Sequence, residues 1–337
     1  MKPDVIRITA ADDGVVQVSW PRQAPETLFV GQTPYEALRL TPLLFTLCSG
    51  AQQLAARLAL ACAAGRGEGA DDDDCRDLTR EAARETLRKL LLDCAIEFDG
   101  APADGPWLQR WRLAQGIEAL AALAEDYVFA EPADAWLARG EAGWLTWIAA
   151  RTSAPARWLA GLTDRQAGVA LLPELDAAQL VRERDSWLAP EGPSWQGLPC
   201  EVGALRHEAQ HLPQLLATGR LAAARLLARL MQLARWLGGT GQLKADVAPC
   251  GDGAALALVD TARGPLVHIA ALDRHGRIRS YRVVPPTAWH SHPRGLIRVT
   301  LESRPQASET EWRRQLALID PCVAFDLQRG GGEENHA

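Results

Sequence analysis

The sequence has no apolar run long enough to cross a membrane, which takes about 18 to 20 consecutive apolar residues. Its best candidate, LAARLALACAA at 54–64, is short and carries Arg57. The opening residues, MKPDVIRITAADDG, are polar and acidic where a secretory signal would have its apolar core. We therefore expect neither a membrane span nor an export signal.

Positively charged residues are outnumbered by negatively charged ones. Lysine and arginine number 36 against 42 aspartates and glutamates, and the formal net charge is -6. Proteins that bind nucleic acid usually present a basic surface that neutralises phosphates, so we expect no nucleic-acid partner. The acidic run GRGEGADDDD at 65–74 is predicted to be a flexible, solvated loop rather than a metal site.

Cysteine pairs with the spacing of metal or disulfide motifs are absent. The seven cysteines lie at positions 48, 62, 75, 94, 200, 250 and 322, and no two of them form a CxxC pair. An odd, widely spread set is typical of a reducing compartment, so we expect a cytoplasmic protein. Cys62 and Cys94 fall on the apolar faces of predicted helices and are predicted to be core residues.

Hydrophobic periodicity predicts an α+β fold that is mainly α. The helical period predicts helices at 34–63 (with a break near 48–50), 78–98, 106–125, 131–150, 174–185, 218–237 and 308–319. A period of two residues predicts a hairpin at 5–20 and strands between 253 and 285. We expect one domain over 1–328 with a small β region near 253–300, followed by a disordered polar tail over 329–337.

One segment has the spacing of a zinc site. RHEAQHL at 206–212 matches H-E-x-x-H, in which two histidines on one helical face bind zinc and the glutamate activates water. His207 and His211 would be the ligands and Glu208 the base. Pro213 ends the helix two residues later, which favours a solvated helix end. A zinc-dependent hydrolase remains an alternative.

Two other cysteines stand in a distinct local setting. Asp320, Pro321 and Cys322 follow the order of an N-cap, a first-turn proline and a first-turn residue, which predicts a helix start. The positive end of a helix dipole would favour the thiolate form of Cys322, and thiolates bind soft metals. Cys48 precedes Ser49 and an amphipathic helical pattern, which predicts a similar setting. Two unconnected buried thiols remain the alternative.

Four stretches resemble, in order, segments of nickel-iron hydrogenase large subunits. TLCSGAQQLAARLAL at 46–60 is similar to the stretch that follows the family's CxxC, and EVGALR at 201–206 to its ETGAL-type residues. The segment 259–295, from VDTARGPLVH to VVPPTAWHSHPRG, is similar to the family's E-A-P-R-G-x-L-x-H and V-P-T-T-W-N-x-x-P-R. DPCVAFDLQ at 320–328 resembles D-P-C-x-x-C-x-x-H. The resemblance implies a large-subunit-like fold over about 30–328.

The same stretches depart from the large-subunit pattern at the metal ligands. Phe45 and Phe325 stand where the family has the other two of its four metal-binding cysteines. Gln52 and Gln328 replace its usual histidines, and its upstream R-G-x-E motif is missing around 29–31. Two thiolates cannot build a four-thiolate nickel-iron site, so hydrogen turnover is not expected. The replacement of histidine by Gln328 also implies that the C-terminal tail is not removed by proteolysis.

The residues that remain imply a site for iron alone. By resemblance, Cys48 and Cys322 are its metal ligands. Arg263 and Thr287 match positions that donate hydrogen bonds to iron-bound cyanides, and Leu266 matches the apolar wall beside carbon monoxide. This combination suits a transiently bound Fe(CN)2(CO) fragment without nickel, and it resembles the HupK/HoxV accessory proteins of hydrogenase maturation.

That resemblance implies an assembly scaffold and not an enzyme: a carrier of Fe(CN)2(CO) during maturation of a nickel-iron hydrogenase large subunit. It implies exchange with HypC-type chaperones, HypD-type maturation proteins and a hydrogenase large-subunit precursor. A divergent hydrogenase-like redox subunit is a further alternative. The carrier hypothesis predicts that Cys48 and Cys322 lie close together across roughly 270 intervening residues, with the Arg263 guanidinium in their pocket.

Overall fold

The computed structural model describes residues 4–11 and 14–329, and most of them are helical. The helices are α1 (Pro34–Leu44), α2 (Ser49–Ala63), α3 (Asp72–Arg88), α4 (Ala95–Asp99), α5 (Trp107–Leu113), α6 (Ile117–Ala124), α7 (Ala133–Leu137), α8 (Gly140–Ala150), α9 (Ala154–Gly161), α10 (Ala177–Arg182), α11 (Arg184–Trp187), α12 (Leu205–Glu208), α13 (Pro213–Ala217), α14 (Leu221–Leu237), α15 (Pro286–His290), α16 (Leu296–Glu302) and α17 (Glu309–Ile319). Shorter 3-10 segments lie at Pro25–Phe29 and Ala209–His211, and π-helical turns at Lys89–Cys94 and Glu125–Phe129. Over the described residues, no helix has both the length and the apolar character needed to span a bilayer.

The strands form two sheets. They are β1 (Val5–Ala10), β2 (Val16–Ser19), β3 (Ala245–Gly251), β4 (Ala254–Thr261), β5 (Gly264–Leu272), β6 (Ile278–Val284) and β7 (Ala324–Arg329). β1 pairs antiparallel with β2 and parallel with β7, so strands from distant parts of the chain share one sheet. β3, β4, β5 and β6 form an antiparallel meander in which each strand pairs with the next.

The prediction of a mainly helical α+β fold is confirmed. β1 and β2 form the predicted hairpin, and β4 to β6 are the predicted strands. α1 and α2 divide the predicted helix at 34–63 close to the expected break. The prediction that Cys94 is a core residue is confirmed, since it is fully buried, whereas Cys62, predicted to be in the core as well, is only partly buried and packs against the same cluster.

The chain after Asp320 is a strand, where the sequence predicts a helix start. Asp320 ends α17 in the left-handed conformation with a φ of 63°, and β7 begins four residues later. Phe325 and Leu327 alternate with polar residues and pack against the cluster that contains Ile6 and Ile8. The parallel pairing with β1 satisfies the backbone of β7, so a distant contact overrides the local helix-start pattern.

Three predicted boundaries also differ. The acidic run is not wholly a loop, because Asp71 and Asp74 form a reciprocal capping box and the first turn of α3 holds the other aspartates, where the helix dipole favours negative charge. The β region begins at Ala245 and ends at Val284, since α15 and α16 follow it. In the predicted tail, Arg329 belongs to β7, and 330–337 lie outside the described residues.

Two helices of the main core, α2 and α14, contribute to the region of the candidate site. α2 packs against β4 and β5, and its small side chains Ala51, Ala55 and Ala59 are buried in the same core. α14 is buried nearly all round although it contains arginines. One of them, Arg229, donates to the carbonyl oxygen of Leu318 at 3.0 Å and so brings a buried cation to the end of α17.

Candidate metal centre

Cys48 is the N-cap of α2 and has a left-handed backbone, with φ 52° and ψ 41°. Residues other than glycine seldom adopt this conformation, and they keep it only where the surrounding structure holds them. Here the Cys48 carbonyl accepts the first helical hydrogen bond from the Gln52 N–H at 2.9 Å. The prediction that a helix starts directly after Cys48 is confirmed.

Glu81 of α3 occupies the N-terminal end of α2. Its carboxylate accepts hydrogen bonds from the backbone N–H groups of Gly50 at 2.8 Å and Ala51 at 3.0 Å. These donors belong to the first helical turn, so the positive end of the dipole faces a carboxylate instead of the thiol. Sequence reasoning missed Glu81. Its signal was the recurrence of Glu81, Glu85 and Lys89 at four-residue spacing, which places them on one helical face.

Cys322 lies in the short connection between α17 and β7 and not in a helix. Its backbone N–H donates to Thr287 Oγ1 at 2.9 Å, which ties this connection to α15. The connection therefore depends on a side chain 35 residues earlier in the chain. The predicted first-turn setting of Cys322 is wrong, because no helix follows Asp320.

Both of these cysteines line one cavity of about 280 Å³, here called the thiol cavity. Leu266 and Thr287 line the same cavity. Arg263 approaches from the side, where its Nη1 donates to Cys48 Sγ at 3.4 Å and its side chain is almost fully buried. The structure therefore brings together all five residues that the sequence pattern singled out, although Cys48 and Cys322 come from opposite ends of the chain.

A buried charge cluster surrounds Asp320 beside the thiols. Its carboxylate oxygens lie 3.2 Å from Arg263 Nε, 3.1 Å from Lys89 Nζ and 3.7 Å from Arg229 Nη2. Burial alone would raise the pKa of Asp320, but the three cations overcome burial and hold that pKa well below its usual range. Glu85 adds a second carboxylate 3.9 Å from Arg263 Nη2. Three cations thus face two carboxylates next to the thiol cavity.

A second cavity of about 300 Å³, here called the charged cavity, adjoins the first. Lys89, Asp93 and other charged side chains line it. The two cavities share Leu47, Cys322 and Val323 as lining residues. Cys322 therefore borders both a chamber with an apolar wall and a chamber with charged walls.

Burial makes both thiols weak acids. It raises the pKa of Cys48 well above its usual range, against a smaller opposing effect of the Arg263 charge. It also raises the pKa of Cys322, against Arg263 and a hydrogen bond from the Thr287 hydroxyl. The predicted preference for thiolate is therefore wrong: one sulfur is outside any helix, Glu81 occupies the helix end beside the other, and both are desolvated.

Slow alkylation is the expected consequence. In the protein without metal, Cys48 and Cys322 should react with iodoacetamide at pH 7 at least ~10-fold more slowly than in the urea-unfolded chain, because only the thiolate is nucleophilic. The rates should rise with pH, which separates low acidity from simple inaccessibility. Peptide mass spectrometry would follow each site. Fast modification of either cysteine at pH 7, at a rate that does not change with pH, would contradict the raised pKa values.

The zinc alternative is wrong for the HEAQH segment. His207 Nδ1 lies 2.6 Å from a Glu174 oxygen, whereas His211 lies 3.2 Å from an Arg235 nitrogen. Glu208 is paired with Arg235 at 3.0 Å and is not poised as a base. The α-helical part ends at Glu208 and a 3-10 turn follows, so the two histidines have separate partners. No group of three or more histidine, cysteine or acidic side chains within the described chain is arranged to hold a metal ion.

The four positions that depart from the large-subunit pattern have different surroundings. Phe45 lines the thiol cavity, and Phe325, on β7, lines the charged cavity. Gln52 lines the thiol cavity and is bonded through its Oε1 to a ring nitrogen of His268. Gln328 is exposed on β7 and donates to Asp326. Three of the four replacements therefore line a cavity that Cys48 or Cys322 also lines.

No family model matches the chain, but individual proteins do. It is 32% identical over 342 residues to the hydrogenase expression/formation protein HupK of Azotobacter vinelandii, covering 94% of this chain and 95% of that protein. It is 32% identical to HupK of Rhizobium leguminosarum bv. viciae, covering 89% and 88% of the two chains. It is 28% identical to HoxV of Cupriavidus necator, covering 91% and 90%.

Two solved hydrogenase structures have a similar fold. An NAD+-reducing nickel-iron hydrogenase in its H2-reduced state gives a TM-score of 0.55 at 16% identity, covering 93% of this chain and 94% of that chain. A nickel-iron-selenium hydrogenase from Desulfovibrio vulgaris Hildenborough gives a TM-score of 0.56 at 14% identity, covering 91% and 92%. Such low identity shows the fold alone. The prediction of a fold like that of the hydrogenase large subunit is confirmed.

Proposed function

The chain belongs to the HupK/HoxV family of hydrogenase expression/formation proteins, and on that premise we propose that it carries an Fe(CN)2(CO) fragment to a maturing nickel-iron hydrogenase large subunit. The fragment is cargo and not a resident cofactor. The observation that supports this proposal best is the pair Cys48 and Cys322, which line one cavity although they come from segments far apart in the chain. Thiolates are suitable ligands for a soft iron centre.

The surroundings of the thiols suit an anionic cargo. Two thiolates and two cyanides outweigh the charge of ferrous iron, so the bound unit is negative. A buried anion needs charge-assisted donors. Arg263 supplies them beside Cys48, and Lys89 and Arg229 add positive charge behind Asp320. The buried side chain of Leu266 offers an apolar wall on the same cavity, which suits carbon monoxide, a poor hydrogen-bond acceptor.

The raised thiol pKa values suit reversible binding. Metal ligation requires both thiols to lose their protons, and burial makes that loss unfavourable. The cost lowers the affinity for the cargo relative to a site with preformed thiolates. A carrier must release what it binds, so a moderate affinity serves transfer. Protonation of Cys48 or Cys322 would then accompany release.

The ligand count favours a carrier over a redox catalyst. Phe45 lines the thiol cavity and offers no lone pair to a metal. With Cys48 and Cys322 as its thiols, the cavity can chelate iron but lacks the four thiolates of a nickel-iron site. A divergent redox subunit would require nickel and hydrogen uptake. Nickel analysis and a hydrogen-uptake assay on the purified protein separate the two functions.

Transfer also requires contact with a donor and an acceptor. We propose HypC-type and HypD-type proteins as donors in the cytoplasm and a hydrogenase large-subunit precursor as acceptor. Five large apolar side chains are exposed in the segment that leads to Cys48: Leu28, Val30, Tyr35, Leu43 and Leu47. Exposed apolar side chains often mark interaction surfaces, so partner contact near the thiol cavity is consistent with this pattern.

Infrared spectroscopy tests the carrier function directly. The protein is isolated anaerobically after co-expression with its maturation partners, and the spectrum is recorded in the region of metal-bound carbon monoxide and cyanide. We expect one carbon monoxide band and two cyanide bands. Protein made without the HypD-type partner is the control and should show none. A spectrum without bands from the co-expressed protein would refute the carrier function.

Arg263→Lys should reduce cargo occupancy several-fold and shift a cyanide band. Lysine keeps the charge near Asp320 but loses the planar set of donors that reaches Cys48. Arg263→Leu should reduce occupancy further, although it also removes a buried ion pair and so affects folding. The conservative variant therefore isolates the donor geometry. Infrared intensity per protein is the measurement, and an unchanged cyanide spectrum in Arg263→Lys would exclude the assigned role.

A further inference from the structure

A buried chain of hydrogen bonds ends at the thiol cavity. His268, on β5, is fully buried between two partners. Its Nδ1 lies 2.8 Å from the Tyr281 hydroxyl on β6, and its Nε2 lies 2.8 Å from Gln52 Oε1 on α2. Gln52 lines the thiol cavity, one helical turn after Cys48. The chain thus connects the interior of the meander with the proposed cargo site.

The imidazole ring of His268 is neutral. Burial lowers the pKa of His268 to about 3, so at physiological pH the ring has one N–H donor and one acceptor nitrogen. The direction of each hydrogen bond in the chain therefore depends on which ring nitrogen holds the proton. Tyr281 and Gln52 decide between the two tautomers.

Tyr281 selects the tautomer. Its hydroxyl is buried, and a buried O–H needs an acceptor. Among the described residues, its hydrogen-bond partner is the Nδ1 atom of His268, so Tyr281 donates and Nδ1 accepts. The proton of His268 must then lie on Nε2, which donates to the oxygen of Gln52. The opposite tautomer would leave the buried Tyr281 proton without an acceptor.

This order of donors fixes the orientation of the Gln52 amide. Its oxygen accepts from His268, so its two N–H donors are not used in that bond, and Gln52 lines the thiol cavity. Metal-bound cyanide keeps a lone pair on nitrogen and is a good acceptor, whereas metal-bound carbon monoxide is a poor one. A fixed amide donor therefore distinguishes the two kinds of diatomic ligand within one cavity, opposite in character to the apolar Leu266.

We propose that Gln52 donates an N–H hydrogen bond to the nitrogen of a metal-bound cyanide in the thiol cavity. His268 and Tyr281 are positioning residues, because they hold the Gln52 amide with its donors toward the cargo. This inference rests on the proposed carrier function. It adds a donor on α2 to Arg263 and assigns a role to a position where the large-subunit pattern has histidine.

The orientation can be tested without cargo. In the full chain labelled with 15N-histidine, NMR should show His268 as the neutral Nε2–H tautomer and should find no protonation down to about pH 4. Loss of the signal in His268→Gln assigns it. Tyr281→Phe removes the donor to Nδ1 and should give a mixture of tautomers. A neutral Nδ1–H tautomer in the parent protein would overturn the proposed orientation of Gln52.

The donor can be tested in the loaded protein. Gln52→Leu should shift one cyanide band more than the carbon monoxide band, and Tyr281→Phe should broaden or split the same cyanide band. Gln53→Leu is the matched control, because Gln53 is the next residue, is exposed and lines a different cavity. It should leave all bands unchanged.

The other possible results would contradict the hydrogen bond from Gln52 to cyanide. Unmoved bands in Gln52→Leu would overturn it, and equal shifts of all bands would overturn the cyanide assignment in favour of a bond to a thiolate. If the parent protein carries no bands at all, the carrier function fails and the cyanide donor with it. The tautomer measured in the cargo-free protein still decides separately whether Tyr281 and His268 orient the amide.

Discussion

Cys48→Ala and Cys322→Ala should each lower iron-fragment occupancy by roughly 100-fold or more, because loss of one thiol converts a chelate into a single-ligand site and the second bond no longer forms intramolecularly. Both sulfurs line the same cavity, so neither has a substitute nearby in the described part of the chain. Infrared intensity and iron content per protein, measured on anaerobically isolated variants, give the result. The same variants should fail to support hydrogenase maturation in cells.

Cys62→Ala and Cys94→Ala are the matched controls. Cys62 lies near the end of α2, far along the helix from Cys48, and Cys94 lies in a buried π-helical turn. Neither lines the thiol cavity, so both variants should keep the infrared bands at parental intensity. The carrier mechanism would be refuted if either Cys48→Ala or Cys322→Ala supported hydrogenase maturation as well as the parent protein does.

The sequence predicted the parts of the site that depend on local pattern and on ordered motifs. Helical periodicity after Cys48 predicts α2, and the period of two predicts β4 to β6. The order of four motifs implied that Cys48, Cys322 and Arg263 share one region of the fold. The described structure places these residues at adjoining positions because α2 packs against the meander and Asp320, at the end of α17, pairs with Arg263.

What the sequence could not predict depends on contacts between distant segments. The helix-start pattern at Asp320 is locally sound, but pairing of β7 with β1 and the hydrogen bond to Thr287 decide the conformation. The thiol acidity was predicted in the wrong direction for a related reason. Local pattern indicates a helix dipole, whereas burial and the carboxylate of Glu81 are visible only in the assembled structure.

Asp320→Asn should lower the free energy of unfolding by about 3 to 5 kcal/mol, because it removes the negative partner from a buried cluster of three cations. Asparagine has nearly the same shape and tolerates the left-handed backbone of this position, so the change isolates the charge. Urea unfolding at pH 7, followed by circular dichroism, gives the measurement. Arg263, Lys89 and Arg229 would remain buried with less compensation.

The pH dependence of the stability loss should show whether it comes from the charge of Asp320 or from packing. Because the folded-state pKa of Asp320 is lowered, its ionised form stabilises the protein above the unfolded-state pKa near 3.8, and that contribution is lost as the pH falls below this value toward the folded-state pKa. Asp320→Asn should therefore lose stability mainly above about pH 4 and differ less from the parent at lower pH. Asp93→Asn is the control, since Asp93 is partly exposed, pairs with Lys89 at 3.5 Å and should cost less than about 1 kcal/mol. A loss in Asp320→Asn as small as that of Asp93→Asn, or one that does not change with pH, would show that the cluster does not depend on the Asp320 charge.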